Sequence, residues 1–234
     1  MTNNYLDLLA NFGIGGAHPG GFFLTQSILN KEQIQQFETV LDIGCGTGQT
    51  AEYLTKRYGC TVTAVDNHPL MLEKANTRFL KSDSPVIVIE GDIQQLNFQE
   101  RSYDLILAES VIIFTTIFST LKKLAGVLKI GGRMILIEMV AEQSLTEDLY
   151  EKACSLYGIK EILDEAEWKV KLGQAGFTQI EIIDTPHALT QTEIKDINPS
   201  DTITLDYFEL WDEHNRFITE NSGVLGYRVF RCIL

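Results

Sequence analysis

The segment from Thr39 to Gly48 constrains the fold of this chain more than any other feature. It runs from the mainly apolar stretch Thr39 to Ile43 into the turn Gly44-Cys45-Gly46-Thr47-Gly48, and helical character follows from Thr50. Glycines permit a tight turn, and they let a ligand approach the main chain without meeting a Cβ atom. A strand, a glycine-rich loop and a helix in this order are typical of a nucleotide-like ligand site in an α/β protein.

Apolar runs and amphipathic stretches alternate after this segment, which indicates strand–helix–strand units. The apolar runs lack in/out alternation, so we expect a mostly parallel sheet with helices covering both faces. The predicted strands are 39–43, 60–65, 86–89, 103–108, 134–139, 178–184 and 226–233. The predicted helices are 50–58, 69–80, 116–128, 165–174 and 205–220, with another starting near Thr25 and with Gly131-Gly132 ending the third.

Length and charge narrow the class of protein and partner. A chain of 234 residues predicts a single domain, 1–234. With 19 Lys and Arg against 32 Asp and Glu, the formal net charge is −13, which disfavours a nucleic-acid partner and leaves a small molecule as the expected substrate.

Cysteine spacing and hydropathy indicate the cellular compartment in which we expect the protein. The cysteines at 45, 60, 154 and 232 form no C-x-x-C pair, so we expect neither a metal site nor a disulfide framework. The longest apolar run, Leu105 to Phe118, contains Glu109 and is shorter than the ~20 residues that a bilayer requires. With no signal-peptide pattern at the N-terminus, we expect a cytoplasmic protein with no membrane partner.

Three acids occupy corresponding positions at predicted strand ends: Asp42, Asp66 and Asp92. Ligands of open α/β sheets bind beyond the carboxyl ends of the strands, so all three are expected to point into one crevice. Asp66 follows the glycines by about twenty residues, where an acid can accept hydrogen bonds from both hydroxyls of a ribose. The structural alternatives are that Asp66 caps the next helix and that Asp92 is a turn residue.

The glycine spacing favours a cationic ligand over a dinucleotide. The dinucleotide pattern is G-x-G-x-x-G, whereas here the third glycine comes one residue early. Asp42 stands two residues before the first glycine, where a carboxylate repels a pyrophosphate and suits an ammonium or sulfonium group. We therefore expect a cation with an adenosine end.

These residues resemble, in order, the motifs of class I S-adenosylmethionine-dependent methyltransferases. The motifs are Val40 to Gly48, Val65-Asp66, Gly91-Asp92-Ile93, Tyr103 to Ile106 and Leu128 to Arg133, within a resemblance that spans about residues 37–184. It implies a Rossmann-like, doubly wound, seven-stranded sheet with a reversed last strand, S-adenosylmethionine as cofactor, and methyl transfer to an unidentified small molecule.

The resemblance also assigns cofactor contacts. It places Gly44, Gly46 and Gly48 along the methionine moiety, Asp66 on the ribose, and Asp92 with the Ile93 main chain on the adenine. Met71 matches a position that packs on the adenine face. Asp42, Cys45 (a small filler in the loop), Asn67 and Glu109 complete the expected cofactor-binding set.

Two further residues are candidates for catalysis. Glu109 follows the fourth strand, where it can orient an amine, take a proton, or simply be a helix-start acid. His18 lies in a glycine-rich segment within residues 1–36, which we expect to form a lid over the cofactor; the alternative is that it satisfies a local turn.

Residues 187–223 are expected to form an insertion that carries a helix and can cap the substrate. It contains His187 and His214, with Tyr207, Trp211 and Phe217 at helical spacings, a pattern that helix core also explains. The other functions left open are an NAD-type oxidoreductase, a cofactor-binding module without catalysis, and a nucleic-acid-modifying enzyme; the sequence does not specify an oligomeric state.

Overall fold

The computed structural model describes residues 4–184 and 194–234, and its centre is a seven-stranded sheet of order β3-β2-β1-β4-β5-β7-β6. The strands are β1 (Thr39–Ile43), β2 (Thr61–Asp66), β3 (Val86–Glu90), β4 (Tyr103–Glu109), β5 (Leu128–Ala141), β6 (Gln179–Asp184) and β7 (Leu225–Ile233). The helices are α1 (Asn4–Phe12), α2 (Gly21–Lys31), α3 (Gln49–Tyr58), α4 (Pro69–Ser82), α5 (Ile117–Val127), α6 (Glu147–Tyr157), α7 (Glu165–Ala175) and α8 (Leu205–Glu220).

Strand direction confirms the expected fold class. β1 pairs in parallel with β2 and β4, and the parallel arrangement extends to β3 and β5. β7 lies between β5 and β6 and is antiparallel to both, so the last strand is reversed. The strand order changes direction at β1 and β4, which places a ligand crevice at their carboxyl ends.

Helices cover both faces of the sheet and create two apolar cores. One core joins α1, α2, α3, α4, α6 and α8 to residues such as Val40, and the other joins α5 and α7 to residues such as Leu41. Val40 and Leu41 are both fully buried although they point to opposite faces. This explains why the central strands are apolar throughout, since each buried aliphatic side chain stabilises the fold by ~1.5–3 kcal/mol.

The role given to Gly131-Gly132 and the start of one helix are wrong. α5 ends at Val127, one residue before the predicted end, but the two glycines do not end it. Leu128 is already extended and pairs with Tyr103, so Gly131 and Gly132 lie inside β5. α2 begins at Gly21 and not near Thr25, because Gly20 takes the left-handed conformation that starts this helix.

Two helices were not predicted. α1 buries Tyr5, Leu8 and Leu9 on one side, and α6 begins after Thr146, whose hydroxyl accepts a hydrogen bond from the main-chain N–H of Leu149. Both patterns were readable in the sequence, as apolar residues three and four apart and as a capping threonine before two acids. Among the described residues, no helix is both long enough and apolar enough to span a membrane.

A cavity at the carboxyl ends of the central strands

A cavity of about 730 Å³ opens where β1, β2 and β4 end. Its walls come from the loops after these strands and after β3, from the N-terminal segment before α2, and from α8. Ten of the twelve predicted site residues line it: His18, Gly44, Cys45, Gly46, Asp66, Asn67, Met71, Asp92, Ile93 and Glu109. The two that do not are Asp42 and Gly48.

The glycine loop exposes its main chain at one position. Gly44, Gly46 and Gly48 all have positive φ angles, of 64°, 53° and 80°. A Cβ atom on Gly46 would have only the sulfur of Met71 nearby, at 3.9 Å, so its main chain is open to the cavity. A Cβ on Gly44 would collide with Val111, and one on Gly48 would lie 2.5 Å from Phe79. Gly48 is therefore required for the packing of α3 against α4, which corrects its placement in the ligand wall.

Asp66 joins two loops of the cavity. Its carboxylate accepts hydrogen bonds from the main-chain N–H groups of Gly46 and His68, both at 2.8 Å. Burial raises its pKa, and these hydrogen bonds oppose the increase. The residue that precedes α4 is His68, without a side-chain cap, so the capping alternative for Asp66 is wrong. The carboxylate instead fixes the β2 loop against the glycine loop.

Asp92 is both a turn residue and a wall residue. Its carboxylate accepts a 2.8 Å hydrogen bond from the main-chain N–H of Gln94, as an acid in a turn does, and it still lines the cavity. The two interpretations of Asp92 are therefore compatible.

Asp42 lies beneath the cavity and not in its wall. Its side chain is 2% exposed, and Oδ2 has no hydrogen-bond partner within the described ranges. Burial raises its pKa well above the usual value, and the negative charges of Glu109 and Asp66 raise it further. Its expected place in the crevice is corrected, because it occupies the middle layer of the sheet under the loops.

Glu109 is the centre of a hydrogen-bond network that joins three elements. Its carboxylate accepts from the hydroxyl of Thr25 on α2 and, at 2.7 Å, from that of Thr50 on α3. Nε2 of His18 lies 3.5 Å from the same carboxylate. Glu109 ends β4, and the next α-helix begins only at Ile117, so it is not a helix-start acid.

His18 is 4% exposed and connects to Glu109 through Thr25. Its Nε2 lies 3.0 Å from the hydroxyl of Thr25, and its Nδ1 lies 3.1 Å from the carbonyl oxygen of Pro19. The hydroxyl of Thr25 donates its hydrogen to Glu109 and also contacts the ring of His18, so Thr25 lies between the two side chains. His18 thus does more than satisfy its own turn.

Contacts with the β2 loop and with residues 194–200 hold the N-terminal segment at the cavity wall. Nε2 of His68 lies 3.1 Å from the carboxylate of Asp7 on α1. The segment 194–200, named here the strap, pairs with the N-terminal residues 13–21. Ile14 and Ile197 form a β-bridge, and the N–H of Asn198 donates a 3.0 Å hydrogen bond to the carbonyl oxygen of Gly13.

The strap is also bonded to α4. Arg78 forms an ion pair with Asp196, and Lys74 donates to the carbonyl oxygen of Asn198. Residues 187–193 of the predicted insertion, including His187, lie outside the described residues, whereas α8 is its predicted helix.

Sequence reasoning missed several residues that build this site: Asp7, Thr25, Thr50, His68, Tyr157 and Asp196. None of them belongs to a motif, because each meets its partner across a large sequence separation. The one available signal was the position of Asp7 and Tyr5 on an amphipathic segment at the start of the chain.

A family model described as "Methyltransferase domain" matches residues 40–132. Over 229 residues the chain is 31% identical to the uncharacterized methyltransferase YodH of Bacillus subtilis (strain 168), covering 97% of this chain and 98% of that protein. The chain belongs to the S-adenosylmethionine-dependent methyltransferases. Within this family it has the class I fold, and S-adenosylmethionine is its cofactor.

Solved structures share the fold of this methyltransferase at low identity. The phosphoethanolamine N-methyltransferase 2 of Haemonchus contortus, with S-adenosylhomocysteine bound, aligns with a TM-score of 0.75 and 19% identity over 98% of this chain. The methyltransferase spans only 56% of that longer protein. The geranyl diphosphate C-methyltransferase of Streptomyces coelicolor A3(2) aligns with a TM-score of 0.68 and 16% identity, over 90% of this chain and 78% of that one.

The residues of the methyltransferase fit the charge of its cofactor. Carboxylates of Asp66, Asp92 and Glu109 line the cavity, and no lysine or arginine from residues 4–184 or 194–234 does. This wall suits a sulfonium and an ammonium group and opposes a pyrophosphate, which disagrees with the NAD-type alternative.

Several buried polar atoms without a hydrogen-bond partner among the described residues lie at this cavity. Within the described part of the chain, five buried side-chain oxygen or nitrogen atoms lack a partner, and those of Asp42, Gln49 and His68 lie in or under the cavity wall.

Proposed function

We propose that this enzyme methylates a small molecule that is held in the same cavity as the cofactor. Support comes from the shape of the cavity, which continues from the cofactor loops to a second region beneath α1, α6 and α8. The strap and the N-terminal segment contribute residues to its wall, among them His18 and Ile197, and a concave site of this size favours a small ligand over a polymer. In this proposal residues 1–36 form the lid, and residues within 187–223 form the substrate cap of a single domain.

The polar residues of the wall are proposed to hold the cofactor. Asp66 holds the ribose hydroxyls, while Asp92 and the main chain of Ile93 contact the adenine, with Met71 on its face. Gly46, whose main chain is open to the cavity, borders the rest of the cofactor. Cys45 and Asn67 line the cavity beside it and border the cofactor as well. The N-terminus of α3, which begins at Gln49, offers free N–H groups to the methionine carboxylate.

Glu109 is proposed to bind the ammonium group of the methionine moiety. Each carboxylate oxygen accepts one hydroxyl hydrogen from Thr25 or Thr50, and each retains a free lone pair. His18 then acts as a positioning residue through Thr25, because it holds the hydroxyl that orients Glu109. The negative charges of Glu109 and Asp66 also stabilise the positive cofactor electrostatically.

Alignment is the main contribution of the protein to the reaction. The bound cofactor supplies a methyl group on a sulfonium whose departing form is a neutral thioether. No residue therefore has to protonate the leaving group, and the enzyme gains rate by holding the acceptor in line. A covered cavity also keeps water away from this step.

Calorimetric titration and product detection test this proposal. We expect S-adenosylhomocysteine to bind to the purified full chain with micromolar affinity. Incubation with S-adenosylmethionine and a panel of small metabolites should produce S-adenosylhomocysteine with at least one acceptor. Turnover with RNA or DNA, and with none of the small molecules, would contradict the small-molecule assignment.

A further inference from the structure

The second region of the cavity is lined by aromatic rings that fix one another. Tyr5 of α1 packs edge-on against Tyr157 of α6, with ring centroids 4.9 Å apart. The ring of His214 on α8 lies between Tyr5 at 5.2 Å and Trp211 at 5.3 Å. We name Tyr5, Tyr157, Trp211 and His214 the ring cluster; all four line the cavity.

The ring cluster is not simply the core side of a helix. Within α8, which the structure describes in full, only Phe217 is fully buried. Trp211, His214 and Ile218 are half-buried and border the cavity. Trp211 and Ile218 also pack against the apolar core, so this face of α8 covers the core and borders the cavity at the same time.

The charge of this region disfavours two classes of acceptor. Throughout the described chain no lysine or arginine lines the cavity, and residues 1–3 and 185–193 contain neither residue type in the sequence. An acceptor with a phosphate or carboxylate would therefore have no lysine or arginine to pair with. The three carboxylates of the wall, at Asp66, Asp92 and Glu109, belong to the cofactor loops. An ammonium group among the rings would therefore have cation–π contacts alone, which stabilise it by less than the burial of an unpaired charge costs.

His214 offers a polar group in the ring cluster to a ligand. The hydroxyl of Tyr157 and Nδ1 of His214 form a hydrogen bond of 3.1 Å. Burial lowers the pKa of His214 to about 4, so the imidazole is neutral at neutral pH and has one donor and one acceptor nitrogen. Within the described ranges Nε2 of His214 has no hydrogen-bond partner.

We propose, on the basis of the proposed function, that the methyl acceptor is an uncharged ring-bearing molecule that stacks in the ring cluster and hydrogen-bonds to Nε2 of His214. Rings fixed before the ligand arrives lower the entropy cost of binding. A polar partner placed among aromatic rings orients the ligand, as is common in small-molecule sites.

Three probes that share one ring system test the charge requirement. Each is titrated calorimetrically into the full chain saturated with S-adenosylhomocysteine: 2-naphthol (uncharged), 2-naphthyl phosphate (anionic) and 2-naphthylmethylamine (cationic). We expect 2-naphthol to bind at least about tenfold more tightly than either charged probe. Equal or tighter binding of the phosphate or the amine would overturn the proposal.

Two variants test the role of His214. In His214→Phe the affinity for 2-naphthol should fall about five- to tenfold, whereas that for 2-methylnaphthalene, which cannot hydrogen-bond, should stay the same. Tyr157→Phe removes only the hydroxyl that fixes the imidazole and should weaken 2-naphthol binding less. It also provides the test if His214→Phe does not fold. Unchanged 2-naphthol affinity in the folded variants would overturn the assignment of His214.

The same titrations separate this inference from the proposed function. If S-adenosylhomocysteine binds and none of the naphthyl probes does, the acceptor class is wrong and the methyltransferase assignment is unaffected. If S-adenosylhomocysteine itself does not bind, the proposed site fails and this inference fails with it. The exposed Glu213→Gln on α8 is the control, and it should leave every affinity unchanged.

Discussion

Both carboxylate oxygens of Asp66 accept a main-chain hydrogen bond before any ligand is present, so this residue shapes the loop that it is proposed to serve. We expect Asp66→Ala to weaken S-adenosylhomocysteine binding more than tenfold, because the ribose contact and the loop geometry are lost together. Calorimetric titration measures this. The control is Glu90→Ala, which removes an exposed acid from the end of the neighbouring strand β3 and should leave the affinity unchanged. Equal losses in both variants would rule out a specific role for Asp66.

Thr25 is 2% exposed, and its hydroxyl is the link between His18 and Glu109. Thr25→Val keeps the shape and removes the hydroxyl, so buried polar groups lose a partner. We expect a loss of ~1–3 kcal/mol in the free energy of unfolding and a five- to tenfold loss of S-adenosylhomocysteine affinity, roughly as for a broken buried hydrogen bond. Urea denaturation and calorimetry measure the two effects.

Thr25→Ser should restore most of both quantities, because serine returns the hydroxyl. Thr77→Val is the matched control, since the hydroxyl of Thr77 bonds only within α4 on the exposed surface. A Thr25→Ser variant as impaired as Thr25→Val would contradict this, because it would show that a hydroxyl at this position does not restore either quantity.

Among the elements, β5 carries an unusual buried acid. The carboxylate of Glu138 is fully buried and accepts hydrogen bonds from the N–H groups of Val111 and Ile112 at 3.1 and 2.8 Å. These two residues begin the turn between β4 and α5, part of which lines the cavity. Glu138 therefore fixes a wall of the site from the strand behind it.

Burial raises the pKa of Glu138 from 4.5 to about 8, and this gives a stability prediction with a definite sign. Between these pH values the unfolded chain loses the proton while the folded chain keeps it, so the stability of the native protein falls as the pH rises. Glu138→Gln cannot ionise. We expect the variant to gain stability relative to the native protein, on the order of a few kcal/mol, between about pH 5 and about pH 8.

Urea denaturation at the two pH values checks this difference. The exposed Glu73→Gln is the control and should show no such change with pH. A constant difference between native protein and Glu138→Gln would mean that Glu138 is ionised in the folded state throughout.

The elements also show how far sequence reasoning reaches. The strands were predictable, because a strand that is covered on both faces is apolar along its length and shows no alternation of apolar and polar residues. The acids at their ends were predictable, because parallel strands end at one edge of the sheet. The network of His18, Thr25, Thr50 and Glu109 was not, since four residues from separate segments meet only after the chain folds. The place of Gly48 was misjudged for the same reason: its neighbour Phe79 belongs to another helix.

At the level of the whole molecule, the strap and the N-terminal residues 13–21 are bonded to each other, and residues of both line the cavity. Gly13 and Gly131 both have positive φ angles, of 62° and 78°. A Cβ on Gly13 would collide with the main-chain oxygen of Asn198, whereas one on Gly131 would have no atom within 4 Å. The two glycines therefore form a matched pair that differs in the strap contact.

We expect Gly131→Ala to cost ~1–2 kcal/mol of stability, because alanine disfavours the left-handed conformation, and Gly13→Ala to cost more, because its Cβ also collides with the main chain of Asn198. Only Gly13→Ala should displace the strap. It should lower the affinity for S-adenosylhomocysteine by about tenfold and make residues 194–204 more sensitive to limited proteolysis. Equal affinities in the two variants would show that the strap does not contribute to ligand binding.

The position of β7 between β5 and β6 has a consequence for synthesis on the ribosome. β6 leaves the exit tunnel well before β7, yet in the finished sheet it is hydrogen-bonded to β7 alone. Until the final strand emerges, the nascent protein therefore carries an unpaired segment with exposed N–H and carbonyl groups, which is the kind of edge that attracts foreign strands. Translation arrested between these two strands would leave a product prone to aggregation, even though the loop from Gly44 to Gly48 had already formed.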